Sequence, residues 1–177
     1  MIDNVLFGPE SGVNHGLALL RAQSIDKPVR PKVDLVPGIF LSIDPDATVT
    51  GTLSSAPGEI LSLRVNPEGS TRWISIHLQM GGADLRQVQM LGVVCRSRAP
   101  QAMTFRMVLR SGIEGGFVDT AFRKTTVSYA EPSVHMDVLD LTREPAIPRQ
   151  SGWREIILMF DHTAFDLNLL NFGVFTV

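Results

Sequence analysis

From residue 33 onward the chain repeats one pattern: a short run in which every second residue is apolar, closed by a cluster of Gly, Pro, Asn or Asp. Alternation of that period marks strands with one buried and one wet face, and the punctuating residues are those that turn a chain. "GIFLSI", "TVTGTL", "EILSLRV", "RWISIHLQM", "LRQVQMLGVVCRSR", "AMTFRMVLR", "FVDTAF", "TTVSYA", "VHMDVLDL", "WREIILMF" and "LNLLNFGVFTV" follow one another in this way. About ten or eleven strands with almost no helix predict an all-β fold, a jelly-roll β-sandwich of two antiparallel sheets. No strict internal repeat runs through the series, which argues against a propeller or solenoid. Residues 1–32 are patterned differently. "NHGLALLRAQS" sets Leu17, Leu20 and Ser24 at helical spacing behind Asn14 as a candidate cap, and "IDKPVRPK" reads as an extended connector. The expected organisation is an N-terminal arm with a short helix over 1–32, followed by one β-sandwich domain over 33–177.

The alternation also assigns faces. In "RWISIHLQM" the residues Ile74, Ile76, Leu78 and Met80 belong to a core, which turns Trp73, Ser75, His77 and Gln79 to the opposite side. "AMTFRMVLR" sets Met103, Phe105, Met107 and Leu109 against Thr104, Arg106, Val108 and Arg110. "FGVFTV" and "REIILMF" are apolar on both faces and need a cover, for which the arm is the nearest candidate.

Composition narrows the chemistry. The 177 residues are enough to bury a core without staples, and the single cysteine, Cys95, can neither pair within the chain nor build a thiolate metal site. Its place at the end of the apolar run "LGVVC" reads as core. A net charge of −2 gives no bulk attraction to nucleic acid or to an anionic membrane. No apolar run approaches the roughly 20 residues needed to span a bilayer. "MIDNVLFGPES" has an acid where a secretion signal would carry positive charge, so a cytoplasmic location is expected of the chain as written.

The last stretch, "GWREIILMFDHTAFDLNLLNFGVFTV", resembles the closing two strands of carbohydrate-binding modules and galactose-binding-like jelly rolls. There an aromatic opens a strand of the form Trp-x-Glu-apolar, a short loop carries Asp and Leu, and an apolar strand ends the domain. Trp153, Glu155, Ile157, Phe160, Asp166, Leu167, Phe172 and Val174 occupy those positions. The resemblance implies a non-catalytic module with a binding surface on the outer face of one sheet or in the loops at one edge, and a carbohydrate or glycoconjugate as partner. It also implies that Trp153 packs in the core. Sugars are held by aromatic faces and by planar polar groups that pair with hydroxyls. On that reading the ligand-binding candidates are Trp73, His77 and Gln79, joined by Arg106 and Arg110, by Gln87 and Gln89, and by His135 and Asp137 from "VHMDVLDL". No cofactor is expected, with calcium left open. "DPDA" at 44–47 is the nearest match to a calcium loop and reads as a turn.

Two other classes stay open. His135-x-Asp137, with His162 following 27 residues after His135, has the form of a facial triad for non-haem iron, but no Arg or Lys follows Arg154 to hold a co-substrate carboxylate. No Gly-x-Ser-x-Gly elbow points to a hydrolase. A structural interaction domain, with the apolar surplus of "LMF" and "FGVF" at a homodimer interface, is the third class.

Overall fold

The structure, a computed structural model, describes residues 8–177. One helix and thirteen strands follow in order: α1 (Ser11–Ala22), β1 (Ile25–Pro28), β2 (Lys32–Val36), β3 (Ile39–Ile43), β4 (Thr48–Ser55), β5 (Leu61–Glu68), β6 (Ile74–Gly81), β7 (Met90–Arg98), β8 (Met103–Ile113), β9 (Gly116–Ala121), β10 (Thr126–Ser128), β11 (Ser133–Asp140), β12 (Arg154–Phe160) and β13 (Phe165–Thr176). All pairings are antiparallel. The first sheet runs β1-β4-β5-β13-β7-β11 and the second β10-β8-β12-β6-β3-β2, with β9 added beside β8. The chain is therefore a jelly-roll β-sandwich.

Burial follows the alternation. Ile74, Ile76, Leu78 and Met80 of β6 and Ile156, Leu158 and Phe160 of β12 face inward from the second sheet, and Leu91, Val93, Cys95, Leu167 and Phe172 meet them from the first. Each such side chain contributes about 1.5–3 kcal/mol on leaving water. Burial pushes the Cys95 thiol up to about 12, which keeps it protonated and inert.

Arg154 heads the largest fully buried side chains and carries a charge. It shares the parity of Ile156 and is 1% exposed. Its guanidinium donates to the Ala83 carbonyl at 2.8 Å, to Ser111 Oγ at 2.5 Å and to the Pro148 carbonyl. One buried cation thereby fastens β8 and two connecting loops to the centre of the second sheet, and burial holds its pKa below the ordinary value.

Of the arm expected over 1–32, residues 1–7 lie outside the described residues, and the described part carries α1 and β1, both joined to the sandwich. β1 is an edge strand of the first sheet, paired with β4 from Ile25↔Ser55 to Pro28↔Thr52. The helix begins at Ser11, earlier than the spacing suggested, and buries Val13, Gly16, Leu17 and Leu20. Asn14 lies inside it instead of capping it. β13 pairs with β5 only over Phe165–Leu169, so its later half has no strand on that side. The helix fills the gap: Asn14 Nδ2 donates to the Val174 carbonyl at 2.7 Å, and Val174 N–H donates to Asn14 Oδ1 at 3.0 Å. Thr176 Oγ1 donates to Glu10 at 2.7 Å, and Arg21 donates to Asn171 Oδ1. A primary amide carries a donor and an acceptor side by side, so it imitates the missing strand.

Asn14→Leu, which keeps the size and strips both groups, is expected to lower unfolding stability by about 1–3 kcal/mol, because Val174 loses both partners. Asn14→Asp keeps only the acceptor and should also be destabilising. Urea denaturation of the variants checks this.

Candidate functional site

The outward positions of β6 are Ser75, His77 and Gln79. Register sets Glu155, Ile157 and Met159 of β12 beside them, then Arg106, Val108 and Arg110 of β8. On the other flank β3 places Phe40 beside His77 and Ser42 beside Ser75. Trp73 precedes β6 and donates from its indole nitrogen to Ser42 Oγ at 3.2 Å, which lays it on the same face. Trp73, His77, Gln79, Arg106 and Arg110 thus share one outer face of the second sheet.

Most of the polar groups are fixed by one another. His77 stacks on Phe40 at 4.7 Å with the rings 8° from parallel, and its Nε2 is 3.0 Å from Ser75 Oγ. Its Nδ1 lies 3.0 Å from Glu155, at ion-pair distance but too bent for a hydrogen bond. Arg110 grips both oxygens of Asp119 at 2.7 Å, lies 3.8 Å from Glu155 and covers Phe117 with its guanidinium 3.9 Å from the ring centre. Hydrogen bonding to Asp119 raises the pKa of Arg110. Under this layer Ile157 and Val108 are buried, although both point away from the sandwich core. Gln79 and Arg106 remain exposed.

Trp153 is not in the core. It is 43% exposed, and its indole lies against Gly112, where an added Cβ would come within 2.3 Å of Nε1. A glycine in β8 therefore makes the seat for the ring. Phe117, 51% exposed, comes from β9 at Gly112↔Phe117. Phe40, Phe117, Trp153 and Glu155 were not among the sequence candidates. For Phe40 the signal was present in the alternation of "GIFLSI", while Trp153 was hidden by a family pattern that uses its position for packing.

His135 and Asp137 lie elsewhere. They belong to β11 at the edge of the first sheet, opposite Cys95 and Val93, whose side chains are interior. The alternation of "VHMDVLDL" holds, but its sides are reversed: Val134 is 70% and Met136 55% exposed, while Asp137 is buried. Asp137 is drawn in because it accepts from the Lys124 N–H at 2.6 Å and from the Val138 N–H at 2.8 Å, so its carboxylate anchors the chain before β10. Burial lowers the pKa of His135. The two residues therefore do not join Trp73 and His77 on a shared face. Gln87 and Gln89 precede β7 and are exposed off that face as well. Among the described residues no three His, Cys, Asp or Glu side chains converge to hold a metal, so His135, Asp137 and His162 form no facial triad. In the 44–47 turn Asp44 accepts from the Arg72 N–H at 3.0 Å and from its Nε at 2.8 Å, and Asp46 takes the same guanidinium at 2.5 Å. These hydrogen bonds hold the Asp44 carboxyl well below its ordinary range, and the two charges that a calcium loop would use are spent on Arg72.

A hollow of about 550 Å³ opens at one end of the sandwich between the β7–β8 and β12–β13 loops, with Gln101, Thr104, Asp161, Thr163 and Phe165 in its walls. A second of about 320 Å³ continues from it over the outer side of the first sheet, the two sharing Arg64, Pro100 and Asp166. Neither contains any of the sequence candidates.

No protein-family model matches the chain, and no characterised protein matches it by sequence. Its fold does have solved counterparts. A CBM4 carbohydrate-binding module superposes with a TM-score of 0.60 at 13% identity, over 93% of this chain and 99% of that one. The family 11 carbohydrate-binding module from Clostridium thermocellum, in complex with a β-1,3-1,4-mixed-linked tetrasaccharide, gives 0.54 at 12% identity, over 84% and 94%. The CBM22-1 xylan-binding domain from Paenibacillus barcinonensis Xyn10C gives 0.51 at 10% identity, over 77% and 85%. The jelly roll expected from the strand series and the C-terminal resemblance is the fold these modules share.

Gly112→Ala is expected to push the Trp153 indole off its seat while leaving the sandwich folded. The emission maximum of Trp153, read in a Trp73→Phe background, should shift, with the far-ultraviolet circular dichroism unchanged.

Proposed function

We propose that this protein is a non-catalytic carbohydrate-binding module whose outer face on the second sheet takes an extended glycan chain. The observation that carries the reading is a set of aromatic rings held in fixed poses on this face: Trp153 on Gly112 and Phe117 against the Arg110 guanidinium, each about half exposed, and the half-buried Trp73, pinned to Ser42 with the Arg72 guanidinium 5.0 Å from its ring centre. Rings already immobilised lose little entropy on binding, and their faces suit the C–H surfaces of sugar rings. Trp73 and Trp153 flank β6 at opposite ends, roughly 26 Å apart along the strand, a span that fits a chain better than a single sugar. Between them Gln79 and Arg106 offer donors and an acceptor to hydroxyls, while His77, Glu155 and Arg110 form the floor. Two of the solved counterparts are described as xylan-binding or as holding a mixed-linked tetrasaccharide, which supports polysaccharides of those kinds as first probes. The loop-end hollow has no tryptophan in its walls, so it ranks second as the main site.

Isothermal titration against xylohexaose and a β-1,3-1,4-mixed-linked glucan tetrasaccharide tests this. Trp153→Ala and Trp73→Ala should each weaken binding of the preferred chain at least tenfold, about 1.4 kcal/mol. Silence of the wild type over both probes and a wider neutral panel, or binding indifferent to both substitutions, would overturn the reading. A second reading, self-association, is favoured by the exposed Met90, Val134 and Met136 on the rim of the first sheet, and light scattering on the same samples separates it from a lone module.

A further inference from the structure

The outer side of the first sheet is unlike that of the second. Register aligns Thr52, Arg64 and Asp166 in one row across β4, β5 and β13, Ser54, Ser62, Asn168 and Arg98 in the next, and Asn171 with Arg96 in a third. Arg21 reaches the third row from α1 through Asn171. These rows carry four arginines, Arg21, Arg64, Arg96 and Arg98, against two aspartates, Asp26 and Asp166, a local +2 on a chain whose net charge is −2. Arg64 spends Nε and one amino group on a single oxygen of Asp166, at 3.0 and 2.8 Å. Among the described residues Arg96 and Arg98 have no ion-pair partner, although they stand on one side of β7 about 7 Å apart. Two like charges at that spacing repel, and an anion laid across them removes the repulsion. Beside them the hollow of about 320 Å³ runs under Pro100, lined by hydroxyls and an amide.

We infer that this half-face is a second binding groove, and that its ligand is a stretch of acidic polysaccharide: uronate carboxylates on Arg96 and Arg98, sugar hydroxyls on Ser62, Asn168 and the Arg64–Asp166 pair. The guanidinium fork matches a carboxylate with two parallel hydrogen bonds. Ser62 donates to Asn168 Oδ1, which turns the amide nitrogen of Asn168 toward a new acceptor, and Asp166 keeps one oxygen for a hydroxyl donor. Nucleic acid fits less well, because these rows hold neither lysine nor an aromatic ring on which a base would stack. The groove lies on the opposite side of the sandwich from Trp73 and Trp153 and does not depend on the function proposed for that face.

The test is isothermal titration of the whole chain at low ionic strength with hexamers of galacturonate and of mannuronate, with methyl-esterified hexagalacturonate and with a dT12 oligonucleotide. At least one uronate hexamer should bind, at least tenfold more tightly than to Arg96→Ala/Arg98→Ala, while the methyl ester is not bound and Trp153→Ala has no effect. Both substitutions are at exposed positions, and an unchanged melting temperature confirms that the double variant is folded. Failure of both uronates to bind, equal binding by the double variant, dependence on Trp153, or equally tight binding of dT12 would each overturn the inference. Neutral-glycan binding measured on the same variants reports on the other face alone, so either site can fail without the other.

Discussion

Everything on the candidate face follows from the two-residue period of β6 and β12 at the centre of the second sheet. Ile74, Ile76, Leu78 and Met80, with Ile156, Leu158 and Phe160, must meet the first sheet to leave water. A pleated strand then has no choice about Ser75, His77, Gln79, Glu155 and Met159, and a slip of one residue would bury the polar set and expose the apolar one. Antiparallel register adds the lateral order, so that β12 brings Glu155 between Gln79 and Arg110. Hydrophobic burial sets which residues face solvent, and register sets which of them touch.

Polar groups inside the fold make that register specific. Arg154 is held by two carbonyls and a hydroxyl, and a shift of β12 would strand a buried cation. Asn14 supplies the backbone of β13 with the partners that β5 does not reach. Each device joins segments far apart in sequence, and both bear on the site: Arg154 is flanked by Trp153 and Glu155, and the helix carrying Asn14 packs against β6 and β13. The rigidity of the aromatic seats on the outer face therefore begins in the interior.

Much of the fold was legible in the sequence because burial in an antiparallel sandwich leaves a period-two trace. All eleven alternating runs correspond to strands β3–β13. β1 was missed because a four-residue strand ending at Pro28 looks like a connector, and β2 because five residues between Pro31 and Pro37 are too few to show the alternation; only pairing with β4 and β3 defines them. Face assignment succeeded for β6 and β8, where the core side is the apolar one. It failed for β11, an edge strand on which hydrogen bonds to Asp137 outweigh the hydropathy of Val134 and Met136. Trp153 was misjudged because its seat depends on the absence of a side chain at Gly112, 41 residues away in sequence, which no local pattern records. The charge of the first sheet's outer side was likewise invisible, since Arg21, Arg64, Arg96 and Arg98 come from three separate elements.

The most direct measurement is a two-dimensional NMR titration with the tightest-binding neutral oligosaccharide. Binding on the face built by β6 and β12 predicts shifts at the Trp73 and Trp153 indole N–H groups, at the Gln79 side-chain amide and along β8 from Arg106 to Gly112, with β11 unmoved. Shifts confined to the loop-end hollow, at Gln101, Thr104 and Thr163, would contradict it.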